Sequence, residues 1–181
     1  MNRPSRRLAG DHGASLVEFA LLLPLLMMVL LGMITGGIAY GQRLNVSHAT
    51  REAARYGSTL PDDQFGSGVG SSWASAVLAV ARDRSGNDLN ISGATICVAL
   101  VTGNPAAVYT PSGGTPYFYS ASYPFSSSSG AAAPCFSDGN TDGARRVQIS
   151  VTRPGKLEAV LFSQTLTLRS QADGRFEFSL G

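Results

Sequence analysis

"GASLVEFALLLPLLMMVLLGMITGGIAYG", Gly13 to Gly41, decides how the chain must be read. Within and just beyond it, Phe19 to Gln42 is a run of 24 residues without a charge. As a helix this run is about 36 Å long at 1.5 Å per residue. That length crosses a hydrocarbon core of about 30 Å with some tilt. It is too long for the apolar region of a secretory signal, and no A-x-A-type cleavage site follows it. A single membrane-spanning helix is therefore expected.

The flanks give an orientation. Arg3, Arg6 and Arg7 precede the run, with Asp11 the one acid among them. The positive-inside rule then places residues 1–13 in the cytoplasm as a short basic leader. The long segment after Arg43 is expected outside, with the chain a single-pass protein of the inner (cell) membrane.

Inside the run, Pro24 lacks an amide and crowds the carbonyl of Ala20, which predicts a local kink or loosening. Gly32, Gly36, Gly37 and Gly41 make two overlapping small-xxx-small patterns, "GMITG" and "GIAYG". Such patterns let a second helix approach closely, although glycine is also common in membrane helices for its own sake.

Glu18 is the anomaly. A carboxylate near lipid needs a cation, and the next downstream base is Arg43. Cleavage after Gly13 would create one: the α-amine of Ala14 is protonated at neutral pH. Glu18 would then be the fifth residue of the mature chain, and the amine of one subunit could pair with the carboxylate of its neighbour. The alternative is an uncut anchor with Glu18 at the interface.

The segment "GASLVEFALLLPLLMMVLLGMITGGIAYGQRLNVSHATREAARYG", Gly13 to Gly57, resembles the TadE-like domain of tight-adherence (Flp-type) pilus systems. The shared features are the Gly-x-x-x-x-Glu-Phe start, the leucines around Pro24, a polar helix after the membrane and the closing "REAARYG". The resemblance implies a pseudopilin-like membrane protein cut between Gly13 and Ala14 by a prepilin peptidase. It implies that Glu18 serves assembly with other pilin-like or TadE-like subunits, and that the protein supports pilus biogenesis and surface adhesion. The competing reading is a single-pass anchored, extracytoplasmic binding or adhesive protein that is not cleaved.

The rest of the chain reads as an α+β domain, residues 71–181, behind a linker at 58–70. Val46, Ala49, Ala53 and Tyr56 form a narrow apolar stripe on the polar extension of the first helix, and Gly57 suits its stop. "SSWASAVLAVARDRSG" predicts a second helix with Trp73, Ala76, Val77, Val80 and Ala81 on its inner face, Ser71 or Ser72 as cap and Gly86 as stop. Residues 94–101, 145–153 and 163–172 predict strands of an antiparallel sheet covered by that helix. "KLEAVLF", 156–162, fits either a strand end or a short helix.

Residues 103–143 read as a long Ser/Gly/Pro-rich insertion with five prolines and no lysine or arginine. Its four tyrosines, Tyr109, Tyr117, Tyr119 and Tyr123, suit a contact surface, and the composition equally suits a tolerated mobile loop. Cys97 and Cys135 can pair if this domain lies outside the cytoplasm; otherwise they are two small core residues.

Composition excludes other classes. The net charge of +2 and scattered arginines argue against nucleic acid. His48 stands alone, the acids are dispersed, and no nucleophile elbow or phosphate loop appears. "DGNTDG", 138–143, lacks the spacing and terminal glutamate of a calcium loop and reads as a turn. No catalytic residue, metal, cofactor or small-molecule substrate is expected, and the membrane lipid is a partner.

Overall fold

The computed structural model describes residues 12–61, 70–111, 114–159 and 162–177. The basic leader up to Asp11, most of the linker and residues 160–161 lie outside these residues. Helix α1 runs unbroken from His12 to Thr59, through Pro24. Helix α2 spans Gly70–Arg84. Five strands follow: β1 (Thr95–Thr102), β2 (Ala107–Val108), β3 (Phe118–Ser122), β4 (Arg146–Ala159) and β5 (Phe162–Arg175).

All pairings are antiparallel, in the order β2-β1-β4-β5. β3 shares the edge of β1 that β2 occupies, pairing residues 95–99 with 118–122. The alternation of side chains across a strand explains the two layers that flank the sheet. Ile96, Val98 and Leu100 of β1, with Val147, Ile149 and Val151 of β4, face the helices and form the main core. Ala99 and Val101 point the other way, onto Phe118, Cys97 and Cys135.

The outer end of α1 makes that core possible. Val46, Ala49, Thr50, Ala53 and Ala54 are buried against the sheet and α2. Tyr56, expected on the same stripe, is 38% exposed. Gly57 is not the helix stop, because α1 continues to Thr59. A Cβ there would lie 3.1 Å from both Val147 Cγ1 and Val77 Cγ2, so Gly57 marks the point where helix, helix and sheet converge.

α2 buries Trp73, Ala74, Val77, Leu78 and Ala81. Ala76 and Val80 sit at the edge of the core, so the inner face is rotated from the expected one toward Ala74 and Leu78. Gly86, at φ +62°, closes the helix as its sequence position suggested. The insertion is more ordered than its composition implies, since β2 and β3 both lie within it. Tyr117 is buried against Trp73 at 5.6 Å between ring centroids, and Tyr109 stacks on Tyr117 at 5.5 Å. Tyr109 also lies under the Arg145 guanidinium, 4.6 Å from the ring centroid. Of the four insertion tyrosines only Tyr123 is exposed, so the aromatic contact surface is largely spent on the domain's own core.

"KLEAVLF" resolves as strand through Ala159. Pro154 is tolerated there because β1 ends opposite Thr152, leaving β4 with β5 as its neighbour beyond that point.

Candidate functional site: the N-terminal helix

The sequence places its candidate residues along α1, and the helix carries them in two different surroundings. From Leu16 to Leu44 every large apolar side chain is exposed: Leu21 at 74%, Leu26 at 59%, Ile38 at 59%. An apolar surface of this extent has no stable place in water, and α1 is long and apolar enough to cross a membrane.

Gly13, Ala14 and Glu18 occupy the first turns of α1. Ala14 and Glu18 are one turn apart and so share a face. Glu18 is exposed and has no ion partner among the described residues. Gly13 has open space around it, which leaves the backbone at the Gly13–Ala14 bond accessible. The bond also lies in the first helical turn, where the amides have no intrahelical acceptor and unravel most readily.

Pro24 interrupts the hydrogen-bond ladder without ending the helix. Gly32, Gly36, Gly37 and Gly41 each have open space where a Cβ would be. Among the described residues nothing fills the notch these glycines leave. Thr35, among them, satisfies its hydroxyl by donating to the Leu31 carbonyl (2.9 Å).

Away from the helix, Cys97 and Cys135 form a disulfide, and no free cysteine exists. The bridge fastens the far end of the insertion to β1. A second device lies beside it. The Cys135 amide donates to Gln148 Oε1 (3.1 Å), and Gln148 Nε2 donates to Asp138 Oδ2 (3.0 Å). Arg146 Nε donates to the same oxygen (2.8 Å), while its Nη1 donates to Asp142 Oδ1 (2.9 Å). Burial pushes the Asp138 carboxyl up, but hydrogen bonds from Arg146, the Asn140 amide and Gln148 outweigh it and hold the group below its ordinary value. Both "DGNTDG" carboxylates meet Arg146, Asp138 from a buried position and Asp142 from an exposed one. No cluster of three or more potential metal ligands occurs among the described residues. The sequence reading missed this network: Gln148 and Arg146 alternate with the apolar β4 residues and looked like the solvent face of a half-buried strand.

Residues 13–55 match the model of the family described as TadE-like protein. The N-terminal segment is therefore TadE-like, in agreement with the motifs that suggested it. No curated protein and no solved structure matches the chain.

Proposed function

We propose that the protein is a pseudopilin-like component of a tight-adherence pilus system. It is anchored by α1 in the inner membrane, with its leader cytoplasmic and its α+β domain outside. A prepilin peptidase cuts between Gly13 and Ala14. The new Ala14 amine then pairs with Glu18 of a neighbouring pilin-like or TadE-like subunit. The observation that carries this reading is the coincidence of the TadE-like match with a continuous helix whose first part is apolar and unpartnered and whose last part is built into a domain.

The physical logic is a charge made on demand. Before cleavage a lone carboxylate near lipid is tolerated at the interface. At the centre of the bilayer it would cost roughly 2.5–3.5 kcal/mol. After cleavage each helix carries an amine and a carboxylate one turn apart, and two such faces, staggered by a turn, neutralise each other. In surroundings of low dielectric that attraction is far stronger than in water. Open glycines at 32, 36, 37 and 41 let the backbones approach closely enough to hold this register.

Glu18→Gln tests the assembly role: it keeps shape and removes charge. The variant inserts normally, and site-specific photocrosslinking from residue 36 to neighbouring subunits is lost. Undiminished crosslinking and unchanged surface adhesion would overturn the role of Glu18. The competing reading, an uncut anchor for an adhesive domain, draws on the helical state of residues 13 and 14 and predicts that result.

A further inference from the structure

Strand β4 keeps company with α1 over most of its length. At one end a Cβ on Gly57 would lie 3.1 Å from Val147 Cγ1. In the middle Asp88 ties Asn45 of the helix (3.1 Å) to Arg153 of the strand (3.1 Å). At the other end Lys156, with Thr165 of β5, faces Thr35, Ile38 and Gln42 across a groove of about 650 Å³. The spacings agree. Nine residues of strand from Val147 to Lys156 cover about 30 Å, and nineteen residues of helix from Gly57 to Ile38 cover about 28 Å. Arg153 to Lys156 and Asn45 to Ile38 each cover about 10 Å. β4 therefore runs antiparallel to α1, and the two lie side by side as far as Thr35.

That arrangement limits where lipid can begin. β1 ends opposite Thr152, yet β4 and β5 pair on from Arg153↔Leu168 to Ala159↔Phe162. Along these pairs neither outer edge has a strand neighbour among the described residues. The amides and carbonyls of such edges find partners in water and none in hydrocarbon, where open sheet edges do not occur. The side chains agree. Lys156 is exposed and has no ion partner among the described residues. Residues 163–167 are exposed as well, with Leu166 the one apolar side chain among them. A lone ammonium beside hydroxyls and an amide is costly in a lipid interior.

The helix changes character at the same place. Ala14 to Ile34 carries eight leucines. Thr35 to Gln42, "TGGIAYGQ", carries three glycines, and Ile38 is its one large aliphatic residue. Water costs such a stretch far less than it costs a run of leucines, because little apolar surface is at stake. The twenty-one residues Ala14–Ile34 make about 31 Å of helix. They cross a hydrocarbon core of about 30 Å without the eight residues that follow.

We infer that the lipid-facing surface of α1 ends at Thr35 or before it, and that Thr35–Gln42, although uncharged, stands outside the hydrocarbon as part of the exported domain. Charge alone sets the limit at Gln42; the ladder beside the helix draws it back. The pairs beyond Lys156 extend the ladder by about 10 Å, so Thr35 is the outermost position the geometry allows for the hydrocarbon edge. Gly36, Gly37 and Gly41 then face water in the isolated protein, and a helix that approaches them does so above the lipid. This inference rests on the reading that α1 spans the membrane.

Spin-label collision measurements on the full chain test it. Both native cysteines are bridged, so an introduced cysteine is the one free thiol. A nitroxide is attached to Met27→Cys, Gly37→Cys, Tyr40→Cys or Thr165→Cys, one position per protein. A Cβ at Gly37 meets nothing among the described residues, and Met27, Tyr40 and Thr165 are exposed. Each protein is reconstituted at high lipid excess in vesicles of phosphatidylcholine and phosphatidylglycerol. Collisions of the label with oxygen, which concentrates in hydrocarbon, are compared with those of a water-soluble nickel chelate. Oxygen is expected to dominate at the Met27 probe, and nickel at the Gly37, Tyr40 and Thr165 probes. Oxygen dominance at the Gly37 and Tyr40 probes would overturn the inference and leave the spanning reading intact. Oxygen dominance at the Thr165 probe would overturn it by placing the ladder itself in lipid. Few collisions with either reagent at the Gly37 and Tyr40 probes would overturn it in favour of a protein cover. Nickel dominance at the Met27 probe would overturn the spanning reading, and the inference with it.

Discussion

Two ends of one helix obey different rules. Between Leu16 and Leu44, α1 shows its large apolar side chains on all sides, and its glycines have empty space beside them. Between Val46 and Ser58 the buried residues are small, Ala49, Thr50, Ala53, Ala54 and Gly57, and they are packed against strands and a second helix. The inner end is hydrophobic without being a core. The outer end is barely hydrophobic and yet is core. Side-chain size, more than polarity, separates them: small residues bring a helix close to a sheet, whereas leucines all round suit a solvent that is itself apolar.

That contrast can be broken at several points, and the largest effect belongs to the outer end. Replacing both Cys97 and Cys135 by serine releases a loop with a sequence separation of 38. The chain-entropy model gives a loss of about 4 kcal/mol. Trp73, the chain's single tryptophan and fully buried, reports it as an earlier denaturant midpoint in its fluorescence. Glycosylation-type mapping of the inner end probes the next effect. Leu26→Arg should impair membrane insertion by roughly 2.5–3.5 kcal/mol, read as the inserted fraction, with no change in the domain's own unfolding.

A matched pair sharpens the comparison further. Gly57→Leu drives a side chain into Val147 and Val77, so the Trp73 transition should shift by about 1–3 kcal/mol. Gly37→Leu meets nothing among the described residues and should leave that transition alone, while weakening association between helices. Equal shifts from the two would mean that the ends are not distinct.

The smallest effect is on acid stability. Asp138 titrates below its ordinary value in the folded domain, so it binds a proton more readily when unfolded. Its stabilising contribution is present above the unfolded pKa of about 3.9 and fades as pH falls through the lower folded value. Asp138→Asn should flatten that acid limb in a pH series of unfolding midpoints.

Much of this was legible in the residues because its causes are local. The uncharged run from Phe19 to Gln42, the period of the Trp73 helix and the alternation of Val147, Ile149 and Val151 each declare themselves within a dozen residues. What stayed hidden depends on distant partners. Gly57 looks like a helix stop until Val147 and Trp73 are placed beside it. The insertion reads as loop because the pairing of Val98 with Tyr119 cannot be seen from its prolines and serines. Ala74 and Leu78 displaced Ala76 and Val80 because α2 is seated by two partners, the sheet and the end of α1, where the helical period foresaw one. At the candidate site the glycine-to-glutamate spacing was plain from the start, since it is written in consecutive residues. The way the far ends of β4 and β5 come to lie beside α1 was not, since it depends on pairings distant in sequence.

The measurement that bears most directly on the proposed function is the N-terminal sequence of the mature protein, extracted from membranes of cells that make the full pilus apparatus. The processed reading predicts a chain that begins at Ala14, with Glu18 fifth, and predicts that a bulky residue at Gly13 leaves the longer form in the membrane. A protein that begins at Met1 in those cells, while still supporting adhesion, would contradict it.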